Sequence, residues 1–231
     1  MNAGMFPGQS RNVCAIRYFT SGWQDSKEEQ NLYLEREPTK EEVLEAVRAE
    51  LKKWPRGCLV KICGYGEPVL RMDIVLAIID LVKAFAPHFT VQLDTSGWPL
   101  LELEDDKVFE TLKRHGIDNI SVSLNAPNKE LYDRIVRPGC FDYKEDAYEN
   151  TIKCIELARN HGFGVKATFV LISLIERHEE ACIKLVKELG VEYVGREYVG
   201  KEYRSKQLHD HGDESLIETE VKVLNIDRDE I

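Results

Sequence analysis

The chain has 231 residues, of which 43% are hydrophobic and 31% charged, a composition typical of folded globular proteins and not of disordered ones. Its formal net charge of -10 argues against broad contact with nucleic-acid phosphates or anionic lipid. No apolar run reaches the roughly 18–20 residues of a membrane span, and residues 1–11 lack the pattern of a signal peptide, so we expect a cytoplasmic location and no membrane partner.

The first predicted helix begins after Thr39. Thr39 and Glu42 have the spacing of a capping box. An apolar stripe at helical spacing follows, formed by Val43, Leu44, Val47 and Leu51. The Trp-Pro-Arg-Gly sequence of residues 54–57 ends this helix, and residues 58–63 predict a short buried strand.

Strands and helices then alternate with short connections. Further strands are predicted at residues 91–94, 120–124, 165–172 and 193–198. Helices are predicted at residues 72–85, 106–115, 129–136, 144–161 and 178–189. Such alternation predicts a parallel sheet with helical crossovers. Both a doubly wound sheet and an open or closed barrel satisfy it.

The composition changes near residue 200. Residues 1–200 predict one α/β domain, in which residues 1–15 are atypical because they lack the pattern of a strand. Residues 201–231 are highly charged and predict a C-terminal extension, in which residues 218–225 alternate as an edge strand would.

Polar residues follow the predicted strands, and ligands of parallel α/β folds bind at those strand ends. These residues are Gly64, Gly66, Glu67 and Pro68 after the first strand, Asp94, Thr95, Ser96 and Gly97 after the second, Ser121, Ser123 and Asn125 on the third, and Arg196 and Glu197 on the last. The spacing of two predicts that Ser121, Ser123 and Asn125 point to one face. Together they predict a polar site for a small molecule.

Each of these groups also has a purely structural explanation. The glycines can shape a turn, the serines can bond the backbone, and Arg196 can be a solvated charge at a strand end. A turn does not require a carboxylate between glycine and proline, so the presence of Glu67 there indicates a binding role.

The order of these motifs resembles that of radical S-adenosylmethionine (SAM) enzymes. Residues 63–68 resemble the family's GGE motif, and residues 95–97 resemble its Thr-Asn-Gly strand end. Residues 121–127, with the Leu-Tyr and Arg-Pro pairs that follow at 131–132 and 137–138, resemble its ribose-side strand and helix. Two segments, residues 32–39 and 196–198, are similar to the TatD-associated subfamily.

The resemblance implies a partial (βα)6 barrel that here lacks its first strand. It implies that Glu67 and Gly66 meet the amino group of SAM, with Gly64, Pro68 and Thr95 beside them. Ser123 and Asn125 would bond the ribose or nearby polar atoms. Arg137 or Arg196 would pair with the SAM carboxylate.

The family cleaves SAM reductively with a [4Fe-4S] cluster and forms a 5′-deoxyadenosyl radical that abstracts hydrogen from a substrate. For this chain the resemblance therefore implies SAM and a cluster as cofactors. It also implies an electron donor such as ferredoxin or flavodoxin, and a small-molecule or peptide substrate.

The cluster motif CxxxCxxC is the departure from the family. Without gaps, the three cysteine positions hold Gly8, Asn12 and Ala15. A one-residue insertion makes Cys14 the third ligand and leaves Pro7 and Arg11 at the other two positions. Cys14 is thus the one candidate metal ligand in this region, and we expect an N-terminus that is truncated or misassigned.

Three interpretations remain open from the sequence. The first is a radical SAM enzyme whose N-terminus is incomplete. The second is a non-catalytic relative that binds SAM or another nucleoside, or serves as a partner module. The third is an unrelated α/β protein that binds a phosphate or sugar.

Overall fold

A computed structural model of the chain describes residues 15–19, 38–54, 59–63, 67–102, 107–136 and 146–197. The strands in these parts are β1 (Ala15–Phe19), β2 (Leu59–Cys63), β3 (Thr90–Thr95), β4 (Asn119–Ser123), β5 (Gly164–Leu171) and β6 (Glu192–Glu197). The helices are α1 (Lys40–Leu51), α2 (Met72–Phe85), α3 (Trp98–Glu102), α4 (Lys107–His115), α5 (Lys129–Val136), α6 (Ala147–Asn160), α7 (Ser173–Glu176) and α8 (Glu179–Leu189), with a 3₁₀ helix at Pro68–Arg71.

The six described strands form one sheet in the order β1-β2-β3-β4-β5-β6. Strands β2 to β6 are parallel. Because every parallel crossover runs in the same direction and such crossovers are right-handed, the helices gather on one face of the sheet. This order excludes the doubly wound alternative, and the open sheet confirms the predicted partial barrel.

The edge strand β1 was not predicted. It pairs antiparallel with β2, with Ala15 opposite Cys63 and Phe19 opposite Leu59. Its direction distinguishes it from the parallel first strand of a (βα)6 barrel. The described part of the sheet therefore has five parallel strands, the number that the sequence predicted.

The two faces of the sheet differ in polarity. The face toward the helices carries the buried core, including Val60, Ile62, Val91, Leu93, Ile120, Val122, Ala167 and Phe169. Their neighbours in the strands lie on the opposite face. In β3 to β6 these are mostly polar, and include Gln92, Asp94, Ser121, Ser123, Lys166, Thr168 and Arg196. We call this second surface the inner face.

The helix boundaries follow local signals. The capping box of α1 is present, because the Thr39 hydroxyl accepts from the Glu42 N–H at 3.2 Å and the Glu42 carboxylate accepts from the Thr39 N–H at 2.8 Å. Helices α2 and α5 have the predicted bounds. Helix α6 begins at Ala147, and its predicted start at residue 144 lies outside the described residues. The short helices α3 and α7 were not predicted.

Cations in the last turns of three helices hold the base of the sheet, where the strands begin. Lys83 of α2 donates to the Phe89 carbonyl at 2.8 Å, and Lys113 of α4 donates to the Gly162 carbonyl at 2.7 Å. Arg159 of α6 donates to the Leu189 carbonyl at 2.9 Å. Each cation bonds the chain that leads into a strand, so the base has a structural role and the opposite rim is free for ligands.

The predicted division at residue 200 and the predicted strand at 218–225 lie outside the described residues and stay predictions. In the described parts, no helix combines the length and apolar character needed to cross a membrane.

Candidate functional site

Glu67 joins the loop after β2 to the carboxyl end of β3. It immediately precedes the 3₁₀ helix, whose first residue is Pro68. One carboxylate oxygen accepts from the Thr95 hydroxyl at 2.7 Å. The other accepts from the N–H and the hydroxyl of Ser96, at 2.8 and 2.5 Å. Two groups that the sequence singled out separately therefore form one hydrogen-bonded unit.

Burial raises the pKa of the Glu67 carboxyl above its ordinary value, and the hydrogen bonds from Ser96 and Thr95 offset this effect only in part. The carboxylate is thus held in place by neutral donors, and no cation in the described part of the chain contacts it. An ammonium group placed next to it would stabilise the ionised form.

The Thr95-Ser96-Gly97 segment is a tightly bonded corner. The Gly97 N–H donates to the Thr95 hydroxyl at 3.1 Å, and the Thr151 hydroxyl of α6 donates to the Ser96 carbonyl at 3.2 Å. Gly97 has a φ of 92°, a value at which residues with a side chain are strained. The corner fixes both groups that donate to Glu67.

The third predicted group is divided between a strand and the loop after it. Strand β4 ends at Ser123, so alternation places Ser121 and Ser123 on the inner face but does not extend to Asn125. Asn125 has a φ of 60°, and its amide oxygen accepts from the Val170 N–H of β5 at 3.3 Å. The expectation that the strand continues to Asn125 was therefore wrong, and the prediction that its side chain shares the face of Ser121 and Ser123 stays a prediction; a bond to the neighbouring strand holds it.

We expect Asn125→Ala to lower the free energy of unfolding by about 1–3 kcal/mol, because it strains a left-handed residue and leaves the Val170 N–H without its acceptor. Asn125→Gly, which tolerates the positive φ, should cost less. Urea denaturation measures both. Ser121→Ala is the control, and it should affect stability and ligand binding less than Asn125→Ala. An equal loss in both alanine variants would contradict this role.

A polar network on the inner face connects β3, β4 and β6. Gln92 donates to Asp94 at 2.6 Å. Arg196 lies 3.6 Å from the other Asp94 oxygen and donates to the Ser121 hydroxyl at 3.4 Å. Sequence reasoning named Arg196, Ser121 and Asp94 but not Gln92, whose polar side chain within the apolar strand β3 was the available signal.

Four of the predicted site residues fall in parts of the chain that the structure does not describe. Gly64, Gly66, Arg137 and Cys14 lie outside the described residues. Within the described ranges, no group of three or more His, Cys, Asp or Glu side chains is arranged to hold a metal ion. Cys154 and Cys182 are buried on helices. Burial raises the pKa of both thiols, that of Cys182 to about 12.

Comparison with known proteins places the chain in one family. Residues 13–189 match the family model of the Radical SAM superfamily. The chain is 30% identical over 128 residues to a probable GTP 3',8-cyclase of Aeropyrum pernix, which covers 55% of this chain and 32% of that protein. It is 29% identical over 134 residues to molybdenum cofactor biosynthesis protein 1 of Drosophila melanogaster, which covers 58% of this chain and 21% of that protein.

Solved structures agree with the fold. The structure described as native anSMEcpe with bound AdoMet has a TM-score of 0.52 and 19% sequence identity, over 68% of this chain and 42% of that chain. At this identity the likeness concerns the fold alone. The alignment covers less than half of the solved chain, as it does for the curated relatives.

Proposed function

This chain belongs to the radical SAM superfamily, and we propose that it binds SAM at the rim where β2, β3 and β4 end. The observation that carries the proposal is the Glu67 carboxylate, which Thr95 and Ser96 hold at this rim. Burial disfavours the charged form of this carboxylate, and none of the described cations contacts it, so it suits the ammonium group of SAM's methionine part.

The other rim residues supply complementary contacts. The amide oxygen of Asn125 is engaged by Val170, which orients its NH₂ group and leaves two donors for a ribose or nearby polar atom. Ser123 lies on the adjacent inner face at the end of β4. Gly64, Gly66 and Pro68 flank Glu67 in sequence, and Arg137 is the proposed partner of the SAM carboxylate.

Superfamily members use SAM with a [4Fe-4S] cluster, which when bound supplies the electron that cleaves SAM. The residues of this chain do not fit such a cluster. The CxxxCxxC positions hold at most Cys14, and the described thiols of Cys154 and Cys182 are buried and kept protonated by their raised pKa. We therefore assign no chemical step to a cluster held by this chain alone.

The proposal extends to the activity of the whole protein. The chain spans 21–32% of the length of the two curated relatives described above. We propose that it is the SAM-binding part of an enzyme that needs a reductant such as ferredoxin or flavodoxin. GTP, which the Aeropyrum relative's name contains, is the first substrate to test. The TatD-associated subfamily, which rests on residues 32–39 and 196–198, stays a prediction.

One alternative function has a specific observation in its favour. The absence of cysteines from at least two of the three motif positions favours a barrel that binds SAM or another nucleoside without cleaving it. The interpretation as an unrelated phosphate- or sugar-binding protein is wrong, because the family model covers residues 13–189.

We expect Glu67→Gln to weaken SAM binding at least about tenfold, since a charge-assisted hydrogen bond contributes about 1.5–3 kcal/mol. Isothermal titration calorimetry measures the affinity. Wild-type affinity should also fall as the pH is lowered through the raised pKa of Glu67, because the protonated acid no longer attracts an ammonium. Glu110→Gln, on the exposed surface of α4, is the matched control.

Measurements of stability distinguish a role of Glu67 in ligand binding from a role in folding. Glu67→Gln should leave thermal stability almost unchanged, because it removes no core volume and glutamine keeps an oxygen for Ser96. Glu67→Ala removes the acceptor of all three donors and should cost about 1–3 kcal/mol. If SAM affinity in Glu67→Gln equals that of the wild type, the proposed role of Glu67 fails.

A further inference from the structure

The inner face carries cations as well as carboxylates, and two of the cations lie beside carboxylates of the same face. Lys61, Lys166 and Arg196 share this face by their strand register. Lys166 is paired with Glu192 at 3.1 Å where β5 and β6 begin. Arg196 lies near the other end of β6, closer to the rim. The guanidinium group is therefore the cation on β5 and β6 that lies nearest to the proposed SAM site.

The Arg196 side chain extends across the sheet. It starts on β6 and reaches Ser121 of β4 at 3.4 Å and Asp94 of β3 at 3.6 Å. Three strand spacings, about 14 Å on a flat sheet, separate β6 from β3, so these contacts form because the sheet curves around its inner face. The side chain thus lies over the inner face, where a molecule bound inside the partial barrel would meet it.

The guanidinium has donors to spare in this position. It carries five N–H groups, and its hydrogen-bond partner among the described residues is Ser121. The 3.6 Å separation from Asp94 is a charge contact and exceeds hydrogen-bond length. The Arg196 side chain is 41% exposed, whereas that of Asp94 is 16% exposed and is also bonded by Gln92.

We infer that Arg196 anchors an oxyanion group of the substrate, a carboxylate or a phosphate, and that Asp94 and Ser121 position its guanidinium for this contact. The inference rests on the proposed function, because it places the substrate inside the barrel next to SAM. The planar fork of arginine matches two oxygens of such a group at once. Asp94 and Ser121 hold one edge of the guanidinium and keep its remaining N–H groups available.

This assignment differs from the role that the family resemblance implies for Arg196, pairing with the SAM carboxylate. Asp94 and Thr95 are adjacent in β3 but lie on opposite faces. Glu67 bonds Thr95, whereas Arg196 contacts Asp94. The two charged groups thus contact different residues of β3, which favours separate ligand groups for Glu67 and Arg196.

Calorimetry with wild type and variants tests the inference. The probes are SAM, then GTP, guanosine, pyrophosphate and citrate, each added to the SAM-saturated chain. We expect Arg196→Gln to bind SAM within about twofold of the wild type and its best oxyanion probe at least about tenfold more weakly, the loss of one ionic contact. Arg196→Lys should recover part of this binding, because it keeps the charge but not the fork.

The probes also identify the source of the oxyanion. Binding of GTP and pyrophosphate but not of guanosine assigns phosphate, and binding of citrate alone assigns carboxylate. Arg114→Gln, on the exposed surface of α4, is the control and should match the wild type. Thermal unfolding within a few degrees of the wild type shows that each variant is folded.

Three results would overturn the inference. One is loss of SAM affinity in Arg196→Gln, which would return Arg196 to the SAM carboxylate. The second is oxyanion binding that Arg196→Gln leaves unchanged. The third is no binding of GTP, pyrophosphate or citrate to the SAM-saturated wild type. Failure of the SAM site itself would instead appear as wild-type chain that does not bind SAM.

Discussion

Anaerobic reconstitution of this chain with iron and sulfide is expected to give far less than one [4Fe-4S] cluster per chain. Such clusters are held by cysteine thiolates, and the motif region contains only Cys14. Cys154 and Cys182 are buried on α6 and α8 and have raised pKa values. Cys63 ends β2 at the rim, and one thiol there does not replace two missing motif cysteines.

The chain is accordingly expected to form no 5′-deoxyadenosine from SAM when dithionite is the reductant. Iron and sulfide analysis and product chromatography measure the two quantities. A value near four irons per chain, with 5′-deoxyadenosine produced, would show that the interpretation of residues 7–15 is wrong. SAM affinity, measured without iron, serves as the control that the rest of the site is intact.

Restoring the cysteine motif CxxxCxxC is the complementary experiment, in which the chain should gain iron binding. The double variant Pro7→Cys and Arg11→Cys completes CxxxCxxC with the existing Cys14. The triple variant Gly8→Cys, Asn12→Cys and Ala15→Cys builds the ungapped register. We expect more iron in the double variant, because Ala15 already belongs to strand β1 and pairs with Cys63. Greater uptake in the triple variant would favour the ungapped register.

Gly97→Ala is expected to lower the free energy of unfolding by about 2–5 kcal/mol. The residue has a φ of 92°, and a left-handed conformation costs a residue with a side chain about 1–2 kcal/mol. A Cβ atom there would lie 2.8 Å from Cγ1 of Val122 and 3.5 Å from Sγ of Cys154. Both neighbours are buried, so relieving the overlap adds about 1–3 kcal/mol.

Gly162→Ala isolates the cost of the backbone conformation. Gly162 has a φ of 76°, and a Cβ atom there would meet only Nζ of Lys113, at 3.9 Å. Urea denaturation should therefore show a smaller loss than in Gly97→Ala. Equal losses in the two variants would contradict the close packing argued for Gly97. SAM affinity should fall in Gly97→Ala alone, because this corner holds the donors of Glu67.

The sequence by itself determined the elements and the family. Helices α2 and α5 have their predicted bounds and the five parallel strands lie where the apolar runs predicted them, because periodicity, caps and helix-ending glycines act over a few residues. The candidate residues at strand ends followed from the same local pattern. The short helices α3 and α7 escaped prediction, since four or five residues carry too little periodicity.

Only the tertiary structure decided how these pieces meet. The order β1 to β6, which separates a partial barrel from a doubly wound sheet, depends on pairing between strands distant in sequence. The contacts of Glu67 with Ser96 and of Arg196 with Ser121 span 29 and 75 residues. Local propensity does not encode partners at such separations. They are selected when the strands assemble and bury their common apolar face.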